Sequence, residues 1–539
     1  MQSETTAGDW QFALGFFRSR VATSPYCYAL HAELAACYLH LGYPDIAIGS
    51  AYKAIMLSDA GRDDSDEYHE LVLQQQDGIV DAKLLLWNST RFGCRYRCLI
   101  YSLYQCSCWK TAHDYQKLAI TRWPKDLYFT ACSEMIHKAI ETYCGFLPKE
   151  DADEMLEDPS KWPNSGMVRR EKYVWNAFEP ARLTSLDEIN KLMGKAAPAF
   201  EVRCVNLPLL KDSYSHNSTS AQLGVFAKRD IAPNEIVLNE TSMLTANNKL
   251  REALCEACSA ELPELHQDGA DQVENCSSCD AVFCNAECLQ LAQDSYHEAL
   301  CEKDVEAIAK NAPLAEGPDA LYALLLLRSF AMALTQEKHP LELDEVKFLW
   351  GDFDKRPEFS RYLAPKEQTG FNREEAYYSL IRTLPFSFKY NVQLPFHMLE
   401  KMDIDIFENN FAEVWVFNTL YAKFRGVASA RLSGGSSRFR GPDVTAVHPM
   451  WCLANHSCDP NVTWEWSANI EMRARGERID WHRQDETKPK REAGIRKGEE
   501  IFNHYTDINL SVKERREWAH GTLGGDCQCE RCVWEAGST

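Results

Sequence analysis

The spacing of hydrophobic and polar positions along this chain changes more than once, and each change marks a change of architecture. From Ala32 to Ala60, AELAACYLHLGYPDIAIGSAYKAIMLSDA, apolar and small residues recur at helical spacing, with Ala35, Ala47, Ala51 and Ala54 set around Tyr38 and Gly42. Small residues let two antiparallel helices approach closely, and Gly42 with Pro44 punctuates the turn between them. The pattern predicts a helix–turn–helix repeat. A weaker copy runs from about Phe92 to Pro124, where Ala112, Ala119 and Pro124 supply small, small and helix-stopping residues. The polar stretch GRDDSDEYHE separates the copies as an insertion. Two copies are fewer than the roughly three that a free-standing array needs, so flanking helices must cap them.

Between Asp151 and Arg203 the pattern is broken by Pro159, Pro163, Pro180 and Pro198, which reads as a linker with short helices. The period then falls to two. Leu223–Glu240, LGVFAKRDIAPNEIVLNE, alternates around a Pro-Asn pair and predicts a β-hairpin, opened by Gly224, where a missing side chain lets the backbone approach a ligand. Helical spacing returns from about Lys303 to Phe424. Gly317–Thr335 is its clearest segment and is read as a core helix, since nowhere do 18 apolar residues run uninterrupted.

Candidate chemistry is concentrated in cysteine. Between Cys255 and Cys301 seven cysteines and one histidine stand at metal-ligand spacing, in the pairs Cys255/Cys258, Cys276/Cys279, Cys284/Cys288 and His297/Cys301. Spacings of two or three residues let neighbouring ligands reach one ion, and two pairs complete one tetrahedral shell, so eight ligands predict two structural zinc sites. Such a segment has almost no apolar core, and metal binding would supply most of its folding free energy. A disulfide framework would suit a short secreted chain, yet Met1 is followed by QSETTAGDW, without a charged or an apolar leader region. An intracellular setting, cytoplasmic or nuclear, is expected. The chain ends on another cluster, Cys527-x-Cys529-x-x-Cys532.

Composition narrows the partners. The 539 residues suggest roughly three or four domains. A net charge of −21 argues against a sequence-independent grip on nucleic acid and fits a basic partner. The basic stretch Lys488–Lys497 is diluted and reads as a solvated loop. No direct nucleic-acid contact and no membrane span are expected.

Two short stretches remain, Cys452–Asn461 (CLANHSCDPN) and Gly498–Asp507 (GEEIFNHYTD). With the terminal CxCxxC they resemble the C-terminal half of a SET-domain protein lysine methyltransferase, and Leu223–Glu240 resembles its N-terminal half. The eight-ligand run between them resembles a MYND zinc finger. The chain is therefore similar to the SET–MYND family, and its N-terminal repeats resemble the tetratricopeptide (TPR)-bearing branch of that family, which is also common in fungi. The implied fold is α+β: a SET β-fold split by a MYND finger, with a helical TPR-like module and a post-SET zinc site. The implied division is a TPR-like module over 1–150, a linker over 151–203, and the first SET part over 204–250. The MYND finger takes 251–303, a helical insert 304–440, the second SET part 441–510 and the post-SET segment 511–539.

The resemblance implies S-adenosylmethionine and three zinc ions as cofactors. Asn455, His456 and backbone groups around Gly224 would contact S-adenosylmethionine, while Tyr505 would stand at the methyl-transfer channel, touching cofactor and substrate. Cys255, Cys258, Cys284 and Cys288 would hold one zinc, and Cys276, Cys279, His297 and Cys301 the second. Cys458 would join Cys527, Cys529 and Cys532 on the third. The implied activity is methylation of lysine on a protein with a basic segment. Proline-rich or tail peptides are the implied partners of the MYND and TPR surfaces. The alternative is an interaction scaffold with weak or lost catalysis. The chain departs from the family pattern in two places. Gln222 stands where a glycine is usual, and Gly524, Gly525 and Asp526 precede Cys527 where an aromatic is usual. Asn418 falls where the family often has a cofactor or channel residue.

Overall fold

A computed structural model describes residues 7–76, 95–208, 219–248, 254–264, 266–310, 312–351, 353, 383–431, 443–479, 481, 492–523 and 525–537. The start of the second repeat at Phe92, the first part of the basic stretch at 488–491, and Gly524 lie outside these residues. The chain forms two compact units. One comprises Met1–Trp175 with Lys303–Ile308 and Gly351–Ala422, the other Asn176–Glu302 with Ala309–Trp350 and Lys423–Thr539.

The first unit is helical, as its period requires. Tyr28–His40 and Pro44–Ala60 form the first predicted pair, and Arg95–Gln105 and Trp109–Arg122 the second, followed by Leu127–Cys144. The turn of the first pair shows why Gly42 and Pro44 are there. Gly42 adopts φ +82°, Tyr43 N donates to Tyr38 O (2.9 Å) and Gly42 N donates to Leu39 O (3.0 Å). That is the Schellman closure, in which a left-handed glycine satisfies the last carbonyls of a helix. Pro44 then starts the next helix without a lost hydrogen bond. Ala35, Ala47, Ala51 and Ala54 are all fully buried, as close helix approach demands.

The stretch read as a linker is folded. It contains the helix Leu186–Ala196 and the strand Ser165–Val168, which pairs antiparallel with Leu384–Ser387 inside the first unit. Pro159 begins a short 3-10 turn rather than ending structure. Asn418 is buried in the first unit. It donates to Asp45 Oδ2 (2.8 Å) and accepts from Asn391 Nδ2 (3.1 Å), so its amide serves a buried polar network of helices and not the channel expected of it.

The second unit carries the strands, and its core gathers Ile189, Met193, Phe200, Val225, Leu238, Val462, Ile470 and Ile501. Both halves of the expected hairpin are strands, but they do not pair with each other. Thr219–Ala227 lies antiparallel to Phe200–Pro208, with Gly224 opposite Arg203, while Ile236–Glu240 pairs with Ile470–Ala474, which in turn pairs with Val462–Trp466. The reason is visible along the edge of Thr219–Ala227. Ile501 N donates to Val225 O (2.7 Å) and Ala227 N to Glu499 O (3.0 Å), so the segment from Ile495 to Ile501 occupies the edge a hairpin partner would take. Gly317–Thr335 is long and apolar enough to cross a membrane by length and composition, and 78% of its window is buried inside the protein, as expected of a core helix.

Candidate functional site

The edge pairing just described carries Glu500 to Gly224. A Cβ on Gly224 would lie 2.8 Å from Glu500 Oε1, 3.0 Å from Val205 Cγ1 and 3.3 Å from Asn455 Nδ2, so any side chain here forces its neighbours to shift. Asn455 Nδ2 donates both to Leu223 O (3.0 Å) and to Glu500 Oε1 (2.8 Å), tying three distant segments at one point. Burial holds the Glu500 carboxyl above its ordinary range, and the Asn455 amide opposes that shift.

Asn455 and His456 then run parallel to Phe502 and Asn503, and Ser457 N donates to Asn503 O (2.8 Å). Asn461 completes this short ladder with its side chain: Oδ1 accepts from Phe502 N (2.7 Å) and Nδ2 donates to Glu500 O (2.7 Å). The sequence reading assigned Asn461 no role.

Tyr505 leaves this ladder half-buried, with its hydroxyl donating to Ala454 O (2.7 Å). Burial pushes its phenol well above the ordinary value, so the hydroxyl stays protonated at neutral pH. Its backbone N–H donates to His456 Nδ1 (3.0 Å), which places the imidazole proton on Nε2, 3.3 Å from Cys458 Sγ. Gly224, Asn455, His456 and Tyr505 are thus brought together, with Glu500 as the member that sequence reasoning missed.

The twelve metal-ligand candidates gather as three groups of four: Cys255, Cys258, Cys284 and Cys288; Cys276, Cys279, His297 and Cys301; Cys458, Cys527, Cys529 and Cys532. Within each, the ligand atoms lie within 4.8 Å of one another, and no disulfide joins any described cysteine. A zinc ion with Zn–S of about 2.3 Å needs Sγ–Sγ edges of about 3.8 Å. The measured edges are 3.9 Å (Cys258–Cys284), 3.5 Å (Cys284–Cys288), 3.7 Å (Cys276–Cys301), 3.9 Å (Cys458–Cys527) and 3.4 Å (Cys458–Cys532). Cys279 Sγ stands 3.6 Å from His297 Nε2, the edge of a mixed sulfur–nitrogen tetrahedron. The three groups fit zinc. Cations support the terminal group: Arg515 Nη2 donates to Cys532 Sγ (3.5 Å), and Arg531 Nη1 donates to Cys458 O (2.8 Å).

The chain matches the family model described as SET domain over residues 222–506, just over half of its length, and belongs to that family. Members of that family are generally protein lysine methyltransferases that use S-adenosylmethionine. No curated protein matches the chain. Asn503 Nδ2 and Thr506 Oγ1, close in sequence to Tyr505, are buried without a partner among the described residues.

Proposed function

We propose that this chain is an S-adenosylmethionine-dependent protein lysine N-methyltransferase of the SET–MYND kind, with a TPR-like helical module. The observation that carries the reading is the knot of Gly224, Asn455, Glu500, His456 and Tyr505 inside the matched SET segment. Asn455, His456 and the backbone at Gly224 would hold the cofactor, which supplies an electrophilic methyl group when bound. The residues around it align and dehydrate the target amine. A lysine has a pKa of about 10.4 in water, and desolvation lowers it toward the neutral, nucleophilic form. Tyr505 acts as an orienting group rather than a base. Its proton is committed to Ala454 O, which leaves its oxygen free to accept from an amine N–H. Alignment of this type contributes roughly 7–11 kcal/mol.

The three cysteine-rich groups are read as three zinc sites, two in a MYND finger and one post-SET. The substrate is a protein with a basic lysine-bearing segment, attracted by the charge of −21. Proline-rich or tail peptides are the expected partners of the finger and the helical repeats, in cytoplasm, nucleus or both. One observation favours a weaker enzyme acting as a scaffold. Gly525 and Asp526 stand where an aromatic would flank the cofactor, although Trp534, two residues past Cys532, offers an indole on the same terminal segment.

The test is methyl transfer from labelled S-adenosylmethionine into a whole-cell protein extract, wild type beside Tyr505→Phe. A band that vanishes in the variant supports the enzyme. No band, with no rise in melting temperature on adding cofactor, supports the scaffold.

A further inference from the structure

The first unit contains a cluster that the methyltransferase reading leaves without a task. Arg18, on the helix Ala7–Thr23, places its guanidinium carbon 5.5 Å from the ring centre of Trp175 and 5.8 Å from that of Trp415. Tyr38 packs on Trp175 at 5.4 Å, and Tyr173 stacks on Trp175 at 5.3 Å with an angle of 17° between the rings. Tyr173 also meets the Trp415 ring edge-on at 6.3 Å. The two indoles hold a flat cation among packed aromatic rings.

The Tyr38 hydroxyl accepts from the Arg18 guanidinium but does not satisfy the other donors. Arg18 Nη1, Trp175 Nε1 and Trp415 Nε1 are all shielded from solvent and have no hydrogen-bond partner among the described residues. Trp415 is only 3% exposed, so its N–H cannot turn to water. Among the described residues no carboxylate forms an ion pair with Arg18. Glu413, whose charge acts on the Tyr38 phenol, is paired with Lys53 at 3.4 Å. Buried donors without acceptors are rare, because each forfeits its hydration for nothing. An aromatic sandwich alone would explain the position of Arg18, but not three idle donors from three separate segments.

We propose that Arg18, Trp175 and Trp415 form a carboxylate-binding pocket in the helical unit. The complement to a group of donors that includes a guanidinium is an acceptor-only, negatively charged group. The planar guanidinium edge matches a carboxylate with two parallel N–H···O bonds. The indole N–H groups serve the remaining lone pairs, and the aromatic walls exclude water from the pair. This pocket is independent of the methyl-transfer site, and it stands or falls separately from the methyltransferase reading.

The experiment uses the full-length, zinc-loaded protein at constant ionic strength set with chloride. Acetate, N-acetylglutamate amide and inorganic phosphate are titrated in turn, read by tryptophan emission and melting temperature. A saturable response to either carboxylate supports the pocket. Blocked glutamate binding as well as acetate assigns it to an acidic side chain of a peptide, and acetate alone assigns it to a small free carboxylate. Arg18→Gln is expected to weaken that binding at least about tenfold, and Trp415→Phe, which keeps a ring and deletes the N–H, by about 2–12-fold. Zinc content serves as the fold control. Should Arg18→Gln fail to fold, Trp175→Phe and Trp415→Phe carry the test, and unweakened binding in both overturns the proposal. No saturable response, an equal response in Arg18→Gln, or a response to phosphate alone also overturns it.

Discussion

Replacing Gly224 by alanine tests the knot at its tightest point. The new methyl group would stand 2.8 Å from Glu500 Oε1, closer than such contacts come, and 3.0 Å from Val205 Cγ1, tighter than most. Glu500 can swing away, being the end of a flexible side chain, but it then leaves its 2.8 Å bond from Asn455. Val205 faces Gln222 on the paired strand and has less room to yield. Overpacking of this sort costs about 1–3 kcal/mol. The loss of glycine's freedom in the unfolded chain returns roughly 0.4–1 kcal/mol. A net loss of about 1–2 kcal/mol follows, a factor of roughly 5–30 in local opening. Because two units and three cysteine-rich groups make global unfolding unlike a two-state process, the measurement is amide hydrogen exchange on peptides covering 219–227 and 499–506. Both should exchange faster by that factor. In Glu500→Ala the clash partner is gone, so adding Gly224→Ala should cost less there, by about 1 kcal/mol. Unchanged protection in Gly224→Ala, or strict additivity in the double variant, refutes the geometry.

Three further outcomes follow from the same structure. Tyr505→Phe should lower the rate of transfer more than it lowers cofactor affinity, and equal losses would make the ring a purely structural element. Cys279→Ser should reduce bound zinc from three ions to two by mass spectrometry of the native protein; full stoichiometry would contradict the grouping of Cys279 with His297. Glu240 accepts from Met450 N and Trp451 N and is pushed up to about 7 by burial, so the folded chain holds its proton more tightly than the unfolded chain does. Its stabilising contribution is complete below about pH 4.5 and is lost as pH rises toward 7, by roughly 3 kcal/mol. Glu240→Gln should therefore remove part of the fall in melting temperature over that window, and superimposable pH profiles would sink the assignment.

Much of the site was legible because its determinants are local. Ligands of one ion often come in pairs a few residues apart, so CxxC, CxxxC and HxxxC spacing marked the ligands, and the pair Cys284/Cys288 stands 3.5 Å apart; which pairs share a group came from the family resemblance. The order NHSC…GEEIFNHY…CxCxxC marked residues that meet in space. Strand pairing was not legible in the same way. Alternation in Leu223–Glu240 signals two strands, but their partners, Phe200–Pro208 and Ile470–Ala474, are chosen by edges and cores that no local window contains. Prolines misled for a related reason: Pro159 opens a helical turn as readily as another proline closes one. Glu500 and Asn461 went unseen because their work is to bond segments from elsewhere in the chain, and Asn418 was misplaced because its partner, Asp45, is 373 residues away.

The imidazole of His456 belongs to two structures at once. It takes the backbone proton of Tyr505 on one nitrogen and offers its own to the sulfur of Cys458 on the other. Zinc in the terminal group would hold that sulfur as a thiolate, and the thiolate fixes the ring. An oxidant or chelator acting on Cys458 would leave the Nε2 proton without an acceptor and let the ring turn. The tyrosine would then lose its anchor without having been touched, so damage to the metal would register as a fault in catalysis.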